Sequence, residues 1–178
     1  IPGIEIAIPD ITYLEEKKQK IKGIIVTHGH EDHIGAIPFI LDSLSIPVYA
    51  PRMACELIRK KLYRSRNNIS PKIFPIKENN EYKLGDIVFE FFPVCHSIPD
   101  SYGLLINTPC GNIVHSGDFK FDKNPTIGND YKTNINHLKR ILKDEVMILM
   151  SESTNAEEEG YSISDEEVKK SINSIIKS

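Results

Sequence analysis

Three histidines and an aspartate fall within six consecutive positions, His28-Gly29-His30-Glu31-Asp32-His33, directly behind the apolar run Ile24-Ile25-Val26-Thr27. A continuous apolar run of this length reads as a strand buried on both faces, the kind found in helix-covered parallel sheets. A buried strand that empties into ligand-type side chains and then turns helical leaves few folds open. Imidazole suits zinc and similar ions, and a carboxylate adds charge and oxygen ligation. Side chains packed this closely cannot all converge on one tetrahedral ion. Two adjacent ions, about 3.5–4 Å apart, account for them better. Gly29 frees the backbone so that His28 and His30 turn to one side. Asp32 and His33 then sit at a helix start, where a carboxylate meets the positive end of the dipole. The chain has only six histidines, so three in six positions argue against an incidental polar cap.

The surrounding pattern places this loop in an α/β domain. Residues 4–8 alternate as in a short strand or a loop, and residues 11–20 read as a short helix. After the histidine loop, Ile34, Ile37, Ile40, Leu41 and Leu44 recur at helical spacing, with Pro38 tolerated near the helix start. Val48-Tyr49-Ala50 reads as a strand, and Pro51 opens a helix to about Tyr63. This β-α-β-α alternation favours a layered α/β fold over an all-helical one. From residue 73 strands take over, at 73–76, 87–92, 102–108 and 112–116, and Pro109-Cys110-Gly111 forms a hairpin turn. A polar loop over 117–133, a helix over 135–142 and a buried strand over 146–150 follow. Ser164-Asp165-Glu166-Glu167 is a capping box for a last helix.

Two later strand ends repeat the design of the first. Phe91-Phe92-Pro93-Val94-Cys95 leads into His96-Ser97, and Ile113-Val114-His115-Ser116-Gly117 leads into Asp118. Loops at strand ends on one sheet edge are where α/β proteins assemble sites. His28, His30 and His96 are expected to hold one ion, Asp32 and His33 the other, and Asp118 to bridge. His115 reads as a strand residue, His137 as a solvated helix residue, Cys95 as a small buried hydrophobe, and Lys120 as a solvated loop residue.

These strings are recognisable. His28-x-His30-x-Asp32-His33, His96 and Asp118 resemble the second, third and fourth motifs of the metallo-β-lactamase fold. Residues 27–36, His96-Ser97-Ile98-Pro99-Asp100 and Gly117-Asp118-Phe119-Lys120-Phe121-Asp122 resemble the ribonuclease J family of the β-CASP group. Ser151-Glu152-Ser153-Thr154-Asn155-Ala156-Glu157 resembles that family's entry into its β-CASP domain, with Glu152 at the acidic motif A. The resemblance covers nearly the whole chain.

It implies the αββα sandwich of the metallo-β-lactamases, here incomplete. The family's first motif would precede residue 1, and the β-CASP histidine completing the second metal would follow residue 178. Residues 1–150 would form the core and 151–178 the start of the β-CASP domain. The resemblance implies hydrolysis of RNA phosphodiesters, endonucleolytic or 5′-3′ exonucleolytic, in rRNA processing and mRNA decay. It also implies two divalent ions, zinc ahead of manganese, with Asp32 and Asp118 in catalytic roles. The intact protein would be a homo-oligomer working with other RNA-decay factors. Other readings are a thioester or lactone hydrolase of the same fold, and a non-catalytic RNA-binding or assembly subunit.

Composition sets limits on partners. A net charge of −3 gives no global signal for nucleic acid, so an RNA role rests on local patches. One such patch runs from Arg52 to Lys72, with seven Lys or Arg against the single acid Glu56. Arg59, Lys60 and Arg64 within it, and Ser97 beside His96, are the candidate RNA contacts. No apolar run approaches the roughly 20 residues of a membrane span. Three cysteines without close pairing fit a reducing cytoplasm.

Overall fold

The structure, a computed structural model, describes residues 3, 6–64, 70–78, 80–122, 135–142, 145–160 and 163–177. The chain divides into two compact units, Ile1–Ile76 and Lys77–Ser178, each with its own sheet.

In the first unit β1 (Ile24–Ile25), β2 (Val48–Ala50) and β3 (Ile73–Pro75) pair in parallel in that order. Helices fill each crossover, as parallel pairing requires. Strand β1 stops two residues short of the expected run, although Val26 N–H still donates to Tyr49 O at 2.9 Å. The single helix expected after the histidine loop is two: α2 (Glu31–Ile34) and α3 (Ile37–Ser43), preceded in the chain by α1 (Thr12–Glu16). Pro38 explains the break. It has no N–H to give to the preceding turn, and its ring would clash with the Ile34 carbonyl; it sits instead in the first turn of α3. Helix α4 (Arg52–Arg64) buries Ala54, Cys55, Ile58 and Leu62, one stripe at helical spacing. That stripe packs with Val26, Ile34, Ile37, Leu41, Val48 and Ala50 into the core of this unit. Residues 6–8 form no strand, and residues 4 and 5 lie outside the described set.

In the second unit β4 (Glu81–Leu84), β5 (Ile87–Pro93), β6 (Tyr102–Thr108) and β7 (Gly111–His115) form an antiparallel meander. Strand β8 (Val146–Met150) adds to β7 in parallel after α5 (Ile135–Ile141), with a register irregularity between Asn112 and Ile113. Alternation along β5 sends Phe89 and Phe91 to one face, where they meet Tyr82 and Tyr102 in edge and stacked contacts. Phe92 and Val94 take the other face with Leu105 and Val114, covered by Phe119, Leu138, Leu142 and Val146. The hairpin turn falls where expected, Gly111 holding φ 140°.

Strand β8 corrects an expectation. It forms at Val146–Met150 but is not buried: Leu149 is 67% exposed, and Met147, Ile148 and Met150 are also exposed. Apolar side chains favour burial, but β8 lies at the sheet edge and among the described residues little packs on it. Helix α6 (Asp165–Lys177) ends the described chain, and its capping box forms as expected. Glu167 N–H donates to Ser164 Oγ at 3.3 Å, and Ser164 N–H donates to Glu167 Oε2 at 3.0 Å. Among the described residues no helix is long and apolar enough to cross a membrane.

Candidate metal centre

The histidine loop leaves the C-terminal end of β1 and runs directly into α2. His28 is almost fully buried, at 1% exposure, and its Nδ1 lies 3.0 Å from the Thr27 hydroxyl. That contact holds the ring so that Nε2 faces His30 Nδ1 at 3.1 Å. The two rings meet edge-on with centroids 4.8 Å apart, and the His33 ring lies 4.1 Å from His28. Three imidazoles are therefore gathered at one point, as the alternation around Gly29 suggests. Asp32 points outward at 78% side-chain exposure, with Oδ2 at 3.5 Å from His33 Nε2.

Two contacts set the direction of this loop. The His30 carbonyl accepts the N–H groups of His33 and Ile34, both at 3.1 Å, closing the first turn of α2. Lys61 of α4 donates to the Glu31 carboxylate, tying α2 to the long helix. Gly35 allows the tight packing there, because a Cβ would lie 2.6 Å from the Glu31 carbonyl.

The second unit supplies a histidine–carboxylate pair of its own. His96 follows an isolated bridge between Cys95 and Lys120, and its Nε2 lies 3.7 Å from Asp118 Oδ2. Both side chains are mostly buried, at 19% and 29% exposure. The strand-end turn before Asp118 is built from polar contacts: Gly117, at φ 60°, gives its N–H to His115 Nδ1. His115 is thus the last residue of β7 and caps this turn, in line with its reading as a strand residue. Ser97 is exposed beside His96. The side chain of His137 lies outside the described residues.

Glu152 is bonded to the turn that carries Asp118. Its Oε1 accepts the Phe119 N–H at 2.9 Å, its Oε2 accepts the Thr154 N–H, and its own N–H donates to Ser116 Oγ. Burial alone would raise its pKa, but the bonds from Phe119 and Thr154, with the field of His96, hold it below the usual glutamate value.

Two contacts were not visible in the sequence. Lys120 is not simply solvated: it is hydrogen-bonded to Asp165 and lies 3.7 Å from Asp122, whose side chain is 3% exposed. Burial would lower its pKa, yet Asp165, Cys95 and Asp122 together keep it above the usual lysine value. Arg59 donates to Glu56 and to the Ile73 carbonyl, so part of its guanidinium serves the α4–β3 junction. Lys60 and Arg64 are exposed on the same helix. Cys55 and Cys95 are buried, and burial raises both thiols above their usual range. Each behaves as a packing residue.

Comparison with known proteins places the chain in a family. Residues 3–136 match the family model described as the beta-lactamase superfamily domain. The chain is 39% identical over 176 residues to ribonuclease J of Mycoplasma genitalium, covering 98% of this chain and 30% of that protein. It is 37% identical over 188 residues to ribonuclease J of Thermus thermophilus, covering 99% of this chain and 32% of that protein. The chain thus spans less than a third of the length of these curated relatives. A solved structure, a HARLDQ-motif mutant of a metallo-β-lactamase from Cronobacter sakazakii, is similar with a TM-score of 0.53. It covers 78% of this chain and 60% of its own at 15% identity, and shows the fold alone.

Proposed function

This chain belongs to the beta-lactamase superfamily, and we propose that it is the metal-binding part of a ribonuclease J-type nuclease that hydrolyses RNA phosphodiesters. The observation that carries this is its 39% identity to a ribonuclease J across 98% of its length, with ligand-type residues at three strand ends. Residues 1–150 then belong to the catalytic domain and 151–178 lead into a β-CASP domain. Ribosomal RNA maturation and mRNA decay in the cytoplasm, by endonucleolytic or 5′-3′ exonucleolytic cleavage, fit such an enzyme. A homo-oligomer acting with other RNA-decay factors fits it too.

The donors suit divalent ions. On the motif spacing, His28, His30 and His96 would hold a first ion, Asp32 and His33 a second, and Asp118 would bridge them. Three imidazoles favour zinc, while the carboxylate share of the second set also admits manganese. When bound, such ions polarise a phosphoryl oxygen and bring a water toward ionisation near neutral pH. The remaining work falls to the chain. Thr27 fixes the His28 ring, which sets which nitrogen is presented. Asp32, exposed at the helix start, orients the attacking water and takes its proton. Water attacks phosphorus, the bond to the leaving ribose oxygen breaks, that oxygen takes a proton from solvent, and a phosphomonoester and a hydroxyl result. Lys60 and Arg64 offer positive charge to the RNA backbone, Arg59 adds to the same field while bonded to Glu56 and the Ile73 carbonyl, and Ser97 offers a hydroxyl to phosphate.

The test is single-turnover cleavage of a 5′-monophosphorylated RNA by the intact protein, stripped of metal and then reconstituted with zinc or manganese. Cleavage that returns with metal is expected. Reconstituted protein that leaves RNA whole but opens a thioester or lactone would overturn the nuclease reading.

A further inference from the structure

We propose that the first unit carries a second nucleotide-binding pocket, remote from the histidine loop, that holds one nucleotide of a single-stranded RNA. The histidine loop leaves the C-terminal end of β1, whereas this recess opens where the chain enters β2 and β3. In a parallel sheet those are opposite ends. The proposal rests on the nuclease reading for its choice of ligand.

The recess has a volume of about 790 Å³, within the roughly 300–1,000 Å³ typical of small-ligand sites. Its wall includes Tyr49 and Phe74, register partners on β2 and β3 whose rings stack at 5.2 Å with planes 27° apart. Phe74 is 41% exposed. A lone exposed phenylalanine is ordinary, but one already stacked on a neighbour beside a recess is a platform onto which a base can extend the stack. Such stacking tolerates any base, because every base has a π-face.

The polar lining completes a nucleotide's chemistry. Ser45, Ser70 and the Asp42 carboxylate line the recess and can accept from base amino and imino groups, while Lys72 supplies the cation for phosphate. Asp42 and Lys72 thus give the lining two opposite preferences, the acid for base amino and imino groups and the lysine for phosphate. A chain is favoured over a free mononucleotide because one lysine poorly offsets a dianionic phosphate, but matches the single charge of a phosphodiester. Lys72 also ends the basic stretch that begins at Arg52.

The experiment is photocrosslinking of the intact protein to a single-stranded RNA carrying 5-iodouridine, in EDTA so that no cleavage occurs. Trypsin then releases residues 73–77, between Lys72 and Lys77. A crosslink on Phe74 is expected, and Phe74→Leu, which keeps apolar bulk without a π-face, should lose it and weaken RNA affinity about 5-fold or more. Lys72→Gln should reduce the slope of log affinity against log salt by about 0.7. An RNA that binds and is cleaved by metal-loaded wild type, yet neither crosslinks at Phe74 nor responds to Phe74→Leu, overturns the pocket and leaves the nuclease reading standing. Crosslinking by 5-iodouridine monophosphate but not by RNA overturns the assignment to a chain. Wild type that neither binds nor cleaves RNA overturns both readings.

Discussion

The Glu152 carboxylate accepts the Phe119 N–H at 2.9 Å, so an acid 33 positions along the chain holds the residue next to Asp118. The same glutamate receives the Thr154 N–H and anchors its own N–H on Ser116, closing the turn that presents Asp118. Replacing Glu152 with alanine leaves the Phe119 N–H without its acceptor, at a cost on the order of 1 kcal/mol. Groups that orient metal ligands are also felt at the metal, and divalent-ion affinity should fall roughly 10–100-fold. Thermal unfolding and calorimetric ion titration of Glu152→Ala check both. A lower Tm with unchanged ion affinity would show that the clamp is structural only.

Ion content should respond to the histidines unequally. His28→Ala or His96→Ala removes one of the ligands proposed for the first ion, so elemental analysis should find one ion lost preferentially. Some loss at the second follows through the shared Asp118. Complete retention of both ions in His28→Ala would sink the ligand assignment.

RNA affinity should depend on salt through the exposed face of α4. Lys60→Ala with Arg64→Ala should reduce the slope of log affinity against log salt by about 0.7 per lost contact with a single strand. Arg59→Ala should act chiefly on stability, because its guanidinium already bonds Glu56 and the Ile73 carbonyl. A slope that ignores Lys60 and Arg64 would make this an ordinary solvated face.

Acid should loosen the start of α6. The backbone N–H and hydroxyl of Ser164 hold the Glu167 carboxyl below the usual glutamate range. A carboxyl lowered on folding contributes stability above its unfolded value, and that contribution is lost as pH falls through the folded value. NMR titration of the Glu167 side chain should show the low value in wild type. Ser164→Ala removes the hydroxyl but keeps the backbone N–H, so it should raise the value only part of the way and fray the first turn.

Gly103 is a packing requirement of β6. A Cβ there would lie 2.2 Å from Phe92 Cζ and 2.9 Å from the Ser116 carbonyl, so Gly103→Ala must displace a buried ring. A loss of about 1–3 kcal/mol in urea unfolding is expected. An unchanged midpoint would mean that Phe92 moves aside freely.

Much of this was legible in residue order because the signals are local. The gathering of the histidine rings at 28–33, strand β6, the hairpin at Gly111 and the capping box of α6 follow from close spacing along the chain, a side-chain period, a turn residue or a cap spaced three apart. Such features need only the backbone preferences of neighbouring residues. The break between α2 and α3 was also written there, in Pro38, but apolar spacing across it masked the signal.

Tertiary structure decided what local preference cannot. Strand β4, Glu-Tyr-Lys-Leu, has little apolar content, and it forms because β5 pairs with it from Glu81↔Glu90 to Leu84↔Ile87. The apolar run of β8 predicts what that strand favours, not what covers it, and its side chains remain exposed. Lys120 looked solvated until Asp165, 45 positions away, proved to be its partner. Residue type determines which interactions are available. Which of them form across tens of positions depends on packing and chain closure, and no window along the sequence contains both partners.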